Sequence, residues 1–204
     1  MDPQVAAVTV DAGKVLEWIG HHVTEDAPRL DADDLVEATA LGAFASGGAL
    51  LRAAPRLDRS LLEAVSRAVL AETEACTALG LMAAMDAQHR VTRAVGRFIA
   101  GYDLLVTPTL GALPAPHGTL DHDDPRHTVR SWLRELFAYG PFTAAFNVSG
   151  HPAVSLPLGQ SREGLPVGVQ LVAAQGREDL LLGVAAQLEQ AVPWRDRRPP
   201  FTVG

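Results

Sequence analysis

Apolar residues recur at steps of three and four through the first half of the chain, then give way to short unbroken apolar runs. Asp2 before Pro3 predicts a helix start, since a side-chain cap is followed by a proline whose missing N–H costs nothing there. Val15, Leu16 and Ile19 carry its apolar face, and Gly20 is placed to end it. His21 to Thr24 reads as a short strand. A second helix is expected over 33–53, capped by Asp31 or Asp33 and stopped by Pro55. Gly42, Gly47 and Gly48 predict a kink or break within it. Asp58 is expected to cap a third helix, in which Leu62, Val65, Val69, Thr73, Cys76 and Leu79 form one buried stripe. Its continuation reaches about Ala100, with Val91, Val95, Phe98 and Ile99 inward, Arg90, Arg93 and Arg97 on another face, and Gly101 closing it.

The pattern changes after Gly101. Asp103 to Thr107 is a short apolar run ending at Pro108, as a buried parallel strand would look. A loop rich in Pro, Gly, His and Asp follows to about residue 127, then a short helix through Trp132 and Phe137. Ala153 to Pro157 and Val167 to Val172 are strand candidates joined by a polar turn, Gln160 to Gly164. Arg177 to Ala191 closes the chain as an amphipathic helix, with Leu180, Leu181, Val184 and Leu188 inward. The class is therefore α/β, with a mainly helical part over 1–101 and a strand-bearing part over 102–204.

Composition narrows the function. The 204 residues are 48% hydrophobic and 20% charged, an ordinary globular balance able to bury a core. The formal net charge is −7, and no basic cluster occurs, which argues against nucleic-acid or anionic-membrane partners. The single cysteine, Cys76, forms no intramolecular disulfide and suits a reducing cytoplasm. The uncharged run from Leu136 to Ser161 contains Gly140, Pro141, Gly150, Pro152 and Pro157, which a membrane helix would hardly tolerate together.

Several segments share their order and spacing with one enzyme family. These are Tyr102-Asp-Leu-Leu-Val-Thr-Pro-Thr109, Phe142-Thr-Ala-Ala-Phe-Asn-Val-Ser-Gly150 and His151-Pro-Ala-Val-Ser-Leu-Pro157. Gly164-Leu-Pro-Val-Gly-Val-Gln-Leu-Val172, Pro193-Trp194 with Arg197-Arg-Pro-Pro200, and Gly20-His-His-Val belong to the same set. Together they resemble the C-terminal half of the amidase-signature family, with His151 where glutamine and Ser149 where threonine is common. The resemblance implies a partial amidase fold, in which these strands join a mixed central sheet flanked by helices. It also implies hydrolysis of a carboxamide C–N bond through a serine acyl-enzyme, with no metal or organic cofactor.

The family's nucleophilic serine, second serine and neutral lysine belong to upstream motifs that this sequence does not contain, so no catalytic residue is assigned. Ser46-Gly47-Gly48 has the wrong order and lies in helical sequence. Lys14, the sole lysine, reads as a solvated pair with Glu17. Thr107 and Thr109 at the strand end, with Phe142, Phe146 and Asn147, are the candidate substrate-binding residues. The rings would suit an apolar acyl or aryl group and the Asn147 amide a carbonyl, although Phe142 and Phe146, four apart, equally suit core packing. His117, His122 and His127 lie among Asp121, Asp123 and Asp124, but their five-residue spacing fits a hydrated loop better than a metal site. His21 and His22 follow a helix end, where histidine commonly serves the terminus, and Cys76 reads as packing. The sequence thus predicts a chain inactive alone, acting on a small amide if complemented by an N-terminal amidase half. The alternative is a truncated or split product that serves as a binding or assembly element, with self-association through open strand edges.

Overall fold

The computed structural model describes residues 1–54 and 56–197; the expected helix stop at Pro55 and the tail segment Arg198 to Pro200 lie outside them. The Asp2 carboxylate accepts from the backbone N–H groups of Gln4 and Val5, and α1 runs Pro3–Trp18 behind that cap. The chain leaves through Gly20, whose φ of 102° lies in the left-handed region glycine tolerates. The expected strand at His21 to Thr24 does not form. His21 instead hydrogen-bonds the Leu16 carbonyl through its backbone and Gln187 through its ring, so the segment is tied to helix ends rather than a ladder.

Helix α2 spans Ala32–Ala53, capped by Asp31, and continues through its glycines without a break. A Cβ on Gly47 would stand 2.5 Å from Thr73 Oγ1, so that glycine serves close helix approach rather than a kink. The expected third helix is divided. A 3-10 turn at Arg59–Leu61 follows the Asp58 cap, α3 spans Ala64–Ala75 and α4 spans Ala78–Ile99 at 114° to it. Cys76 adopts an extended conformation at the joint and Thr77 caps α4, which ends the helical stripe there. Leu70 takes the buried place, 1% exposed, while Leu79 is 79% exposed. Along α4, Val91, Val95 and Ile99 are buried and Arg90, Arg93 and Arg97 are exposed, as the periodicity requires.

Strand β1 (Leu104–Pro108) pairs antiparallel, not parallel, with β3 (Pro166–Ala173), and β2 (Ala153–Gln160) pairs antiparallel on the other side. The order is β1-β3-β2, so the hairpin expected around Gln160 to Gly164 places β2 at an edge. Pro157, which cannot donate to a ladder, falls where the β2 register shifts between Leu156 and Gly159. Helix α5 (Val129–Tyr139) carries a capping box from Thr128 and Ser131. Helix α6 (Ala144–Ser149), which the sequence did not announce, precedes β2, and α7 (Glu178–Ala191) closes the described chain.

The sheet buries both faces. Leu104, Val106, Val154, Leu156, Leu171 and Ala173 pack on Leu16 of α1 and on Leu181, Val184 and Leu188 of α7. Leu105 and Val172 pack on the other side with Ala144, Ala145 and Phe146 of α6, Val91, Val95 and Ile99 of α4, and Leu35 of α2. A third cluster joins Val36, Ala40 and Phe44 of α2 to Val129 and Leu133 of α5. Over it, Arg130 pairs with Glu37 at 2.5 Å and Glu72 at 3.2 Å, while Glu72 also caps the Val129 N–H. Among the described residues no single helix is long and apolar enough to cross a membrane; the bent pair α3–α4 together has that length and composition.

Candidate functional site

Alternation along antiparallel strands sends every second residue to the same face. Register places Leu105 opposite Val172, Thr107 opposite Gln170, and Ser155 opposite Gln170 from the other edge. The α6-facing side of the sheet therefore changes from apolar, where Phe146 covers Leu105 and Val172, to polar toward Thr109. Gln170, only 5% exposed, donates its side-chain amide to Thr107 Oγ1 at 3.0 Å and to the Phe142 carbonyl at 3.3 Å. That amide ties β1 to the loop before α6, and a buried donor so used is satisfied rather than stranded.

One step outward, the Thr109 and Ser155 hydroxyls lie 2.6 Å apart above Gly168. A Cβ on Gly168 would come within 2.8 Å of Thr109 Oγ1 and 2.9 Å of Ser155 Oγ, so the hydroxyl pair needs glycine beneath it. A shallow cleft of about 110 Å³ opens here, with Thr109, Ser155 and Gly168 on one wall and Val5, Leu113 and Val167 among its apolar lining. Small-molecule sites usually hold roughly 300–1,000 Å³, so this cleft takes a fragment of a ligand rather than all of it. A wider hollow of about 320 Å³, between Trp18, Ile19, Gln187, Gln190 and Ala191, contains none of the candidate residues.

The five candidates divide by environment. Thr107, Thr109 and Phe142 are half-buried around Gln170 and the hydroxyl pair, and Asn147 is exposed on α6. Phe146 is 4% exposed and belongs to the main core. Gln170 and Ser155 are not among the residues chosen from the sequence. A lone glutamine inside Val167-Gly-Val-Gln-Leu-Val172 was the available signal, but its partners depend on strand register.

Other reactive side chains are placed apart from this face. Ser46 is exposed on α2 and donates to the Gly42 carbonyl at 3.0 Å. Lys14 pairs with Asp11 at 2.8 Å, not with Glu17, and no hydrogen bond joins it to Ser46. His122 and His127 flank Trp132, at 4.2 Å and 5.3 Å between ring centroids, and approach Glu63 and Glu135 respectively. Arg126 beside Asp124 holds that carboxyl well below the usual carboxylate range. Among the described residues no group of three or more His, Cys, Asp and Glu could hold a metal ion. Cys76 packs against the Phe44–Val129–Leu133 cluster.

A serine and a histidine do meet at the end of α6. Ser149 Oγ and His151 Nδ1 are 2.9 Å apart, with Gln175 donating to the Ser149 carbonyl at 2.8 Å. Ser149 is 3% exposed, so its hydroxyl closes the helix end rather than facing a reagent. Burial lowers the His151 pKa from its ordinary 6.5, outweighing a hydrogen bond to the Ser149 backbone that acts the other way. The folded chain therefore takes up this proton less readily than the unfolded one. The contribution is fully favourable above about pH 6.5 and is lost as pH falls through the range below it. His151→Gln is expected to remove that part of the acid sensitivity, read as a smaller difference between urea midpoints at about pH 7.5 and about pH 5.5.

Comparisons with known proteins agree on one family. A sequence profile described as Amidase matches residues 1–182. The 6-aminohexanoate-cyclic-dimer hydrolase of Pseudomonas sp. (strain NK87) is 38% identical over 98% of this chain, covering 42% of that protein. The protein of the same name from Paenarthrobacter ureafaciens is 37% identical, again over 98% of this chain and 42% of its own. A solved 6-aminohexanoate cyclic dimer hydrolase in complex with substrate superposes with a TM-score of 0.86 at 34% identity, over 98% of this chain and 44% of that one. The chain thus spans about two fifths of the length of the relatives it matches. Its Thr-Pro-Thr strand end, its Phe–Asn helix and its hairpin occur within that matched region. On profile, identity and fold together, the chain belongs to the amidase family.

Proposed function

We propose that this chain supplies part of the substrate-lining region of an amidase that cleaves a carboxamide C–N bond through a serine acyl-enzyme. The observation that carries the reading is its close superposition on a substrate-bound amidase while covering 44% of that enzyme. In this reading the nucleophilic serine, its partner serine and the lysine come from outside the 204 residues, on another chain or a longer form of this one. The lysine must be neutral to accept the serine proton, which burial favours by disfavouring the ammonium.

The residues of this chain bind and orient. The Thr109–Ser155 hydroxyl pair and the exposed Asn147 amide offer polar contacts to a carboxamide, while Phe142 and the apolar cleft wall receive its carbon skeleton. Gln170 holds the Thr107 strand end and the Phe142 loop at fixed separation, so both sides of the site move as one. Phe146 supports that geometry from the core. The 6-aminohexanoate cyclic dimer, which the names of the relatives carry, is the first substrate to try.

The test is complementation. Co-expression with the serine-bearing part of the Pseudomonas relative is expected to give amide turnover that neither part shows alone. Asn147→Ala in that assembly is expected to raise KM about three- to tenfold with the fold unchanged, the loss of one oriented hydrogen bond. A folded, assembled pair without turnover would refute the catalytic reading and favour a non-catalytic assembly element.

A further inference from the structure

The loop between β1 and α5 is a strap held to α5 at both ends. At its start the Gly111 N–H donates to the Tyr139 carbonyl at 3.0 Å, and the Tyr139 hydroxyl donates to the Leu113 carbonyl at 3.3 Å. Leu113 and Pro114 also line the Thr109–Ser155 cleft, so this end of the strap is part of the cleft wall. The far end is fixed about 10 Å away along the helix, where His122 and His127 pack on Trp132, which is 8% exposed. Between the two anchors, Thr119 bonds back to the Pro116 carbonyl within the strap. The far end also caps α3. There the His122 carbonyl accepts from the Val65 N–H at 3.0 Å, and the Asp123 carboxylate accepts from the Ala64 N–H at 2.8 Å.

Histidine is the side chain that ordinarily changes charge between about pH 5 and 8, and the far anchor holds two. His127 Nδ1 lies 3.3 Å from Ser131 Oγ, and its Nε2 faces the Glu135 carboxylate at 3.4 Å. The Ser131 hydroxyl accepts from the Thr128 N–H at 2.9 Å and donates its one proton to the Thr128 carbonyl at 3.2 Å. With that proton committed, only an imidazolium donates to both Ser131 and Glu135. A neutral ring must either give up Glu135 or draw the Ser131 proton away from the Thr128 carbonyl. His122 Nδ1 in turn faces Glu63 at 3.7 Å, and its ring lies 4.2 Å from the Trp132 indole. A charged ring there gains both the ion pair and a cation–π attraction that a neutral ring lacks.

The surrounding charges act in the same direction. Asp124, ionised beside Arg126, faces His127, while Arg67 of α3 is engaged with Asp123 at 3.6 Å. Asp121 accepts from the Asp123 N–H at 2.9 Å. Elsewhere on α5, Arg130 pairs with Glu37 and Glu72, and Arg134 with Asp33, so those cations are already compensated. We propose that residues 111–127 form a proton-operated strap, whose far end is latched to Trp132, Glu63 and Glu135 by imidazolium at His122 and His127. Loss of those protons frees the far end, while the Tyr139 anchor keeps the cleft end in place. The latch is present below the histidine range and is lost as pH rises through it. His151 acts the opposite way, favouring the fold above about pH 6.5, so order gained in acid does not come from it. The strap requires neither the catalytic residues nor a partner chain.

Amide hydrogen exchange of the full chain, followed residue by residue by NMR and corrected for the intrinsic effect of pH, reads the latch at its own bonds. Protection of the Ala64 and Val65 amides, which donate to Asp123 and His122, is expected to be about three- to tenfold greater at about pH 5.5 than at about pH 8. The Val169 and Leu171 amides of β3 report global stability and are expected to show no such gain. His122→Gln combined with His127→Gln is expected to abolish the difference at Ala64 and Val65. Glu63→Gln combined with Glu135→Gln keeps both rings on Trp132 and is expected to reduce it by half or more, which provides a second reading if the histidine pair variant does not fold.

Equal corrected protection of Ala64 and Val65 at the two pH values would overturn the strap, as would a difference that persists in the paired variants. A gain in acid shared equally by Val169 and Leu171 would place the effect in global stability and overturn it too. A difference confined to the α3 start and lost with the histidines or their carboxylates establishes the latch, whether or not a complemented enzyme turns over amide.

Discussion

Phe146→Ala is expected to lower the unfolding free energy by about 3–5 kcal/mol, the usual loss when a buried phenylalanine is truncated. The ring is 4% exposed among Val95, Ile99, Leu105 and Val172, the seam where α6, α4 and the sheet meet. Removing it takes away apolar burial and leaves a cavity that three elements cannot close together. Domains of this size are stable by roughly 5–15 kcal/mol, so the variant approaches the limit of folding. The midpoint of urea unfolding reads the effect directly. Asn147→Ala, at the adjacent position but exposed, is expected to change stability by no more than about 0.5 kcal/mol and to act on binding alone. Equal and small stability losses at the two positions would place Phe146 at the surface and contradict the described packing.

Gln170→Leu is expected to cost about 1–3 kcal/mol, although it adds apolar surface to a buried strand. A leucine fills similar space but donates nothing, leaving Thr107 Oγ1 and the Phe142 carbonyl without the amide that joins them. Gln170→Glu should be worse, because a buried carboxylate cannot donate to either oxygen and pays for desolvation. Thermal unfolding measures the stability term. In a complemented enzyme the same variants should raise KM, because the strand end and the Phe142 loop lose their common anchor. Normal stability with Gln170→Leu would mean that the network carries no weight.

Local chemistry explains which elements the sequence disclosed. Asp2 and Asp31 act as caps in the structure, and the stripe Val91, Val95, Ile99 is buried as its spacing requires. Misreadings arose where tertiary contacts decide. Gly47 looked like a weak point in α2, yet it is the place where Thr73 of α3 comes close. The apolar run at β1 carried no sign of strand direction, because pairing with β3 is set by partners distant in sequence. Helix α6, six residues long, is too short for a periodic pattern, so the depth difference between Phe146 and Asn147 was illegible. Thr107, Thr109 and Phe142 could be chosen from the segments that resemble the family. Gln170 and Ser155 join them only through strand register, which places them on the same face.

In the proposed function this chain holds substrate-lining residues without a nucleophile. Its most direct test is amide turnover by the purified, monodisperse chain alone, on small aliphatic and aryl amides and on the 6-aminohexanoate cyclic dimer. No turnover above an inactive-protein control is expected from protein that circular dichroism shows to be folded. Turnover that survives Ser46→Ala and Lys14→Ala would contradict it, and loss of that turnover in Ser149→Ala would move the chemistry to the pair at the end of α6.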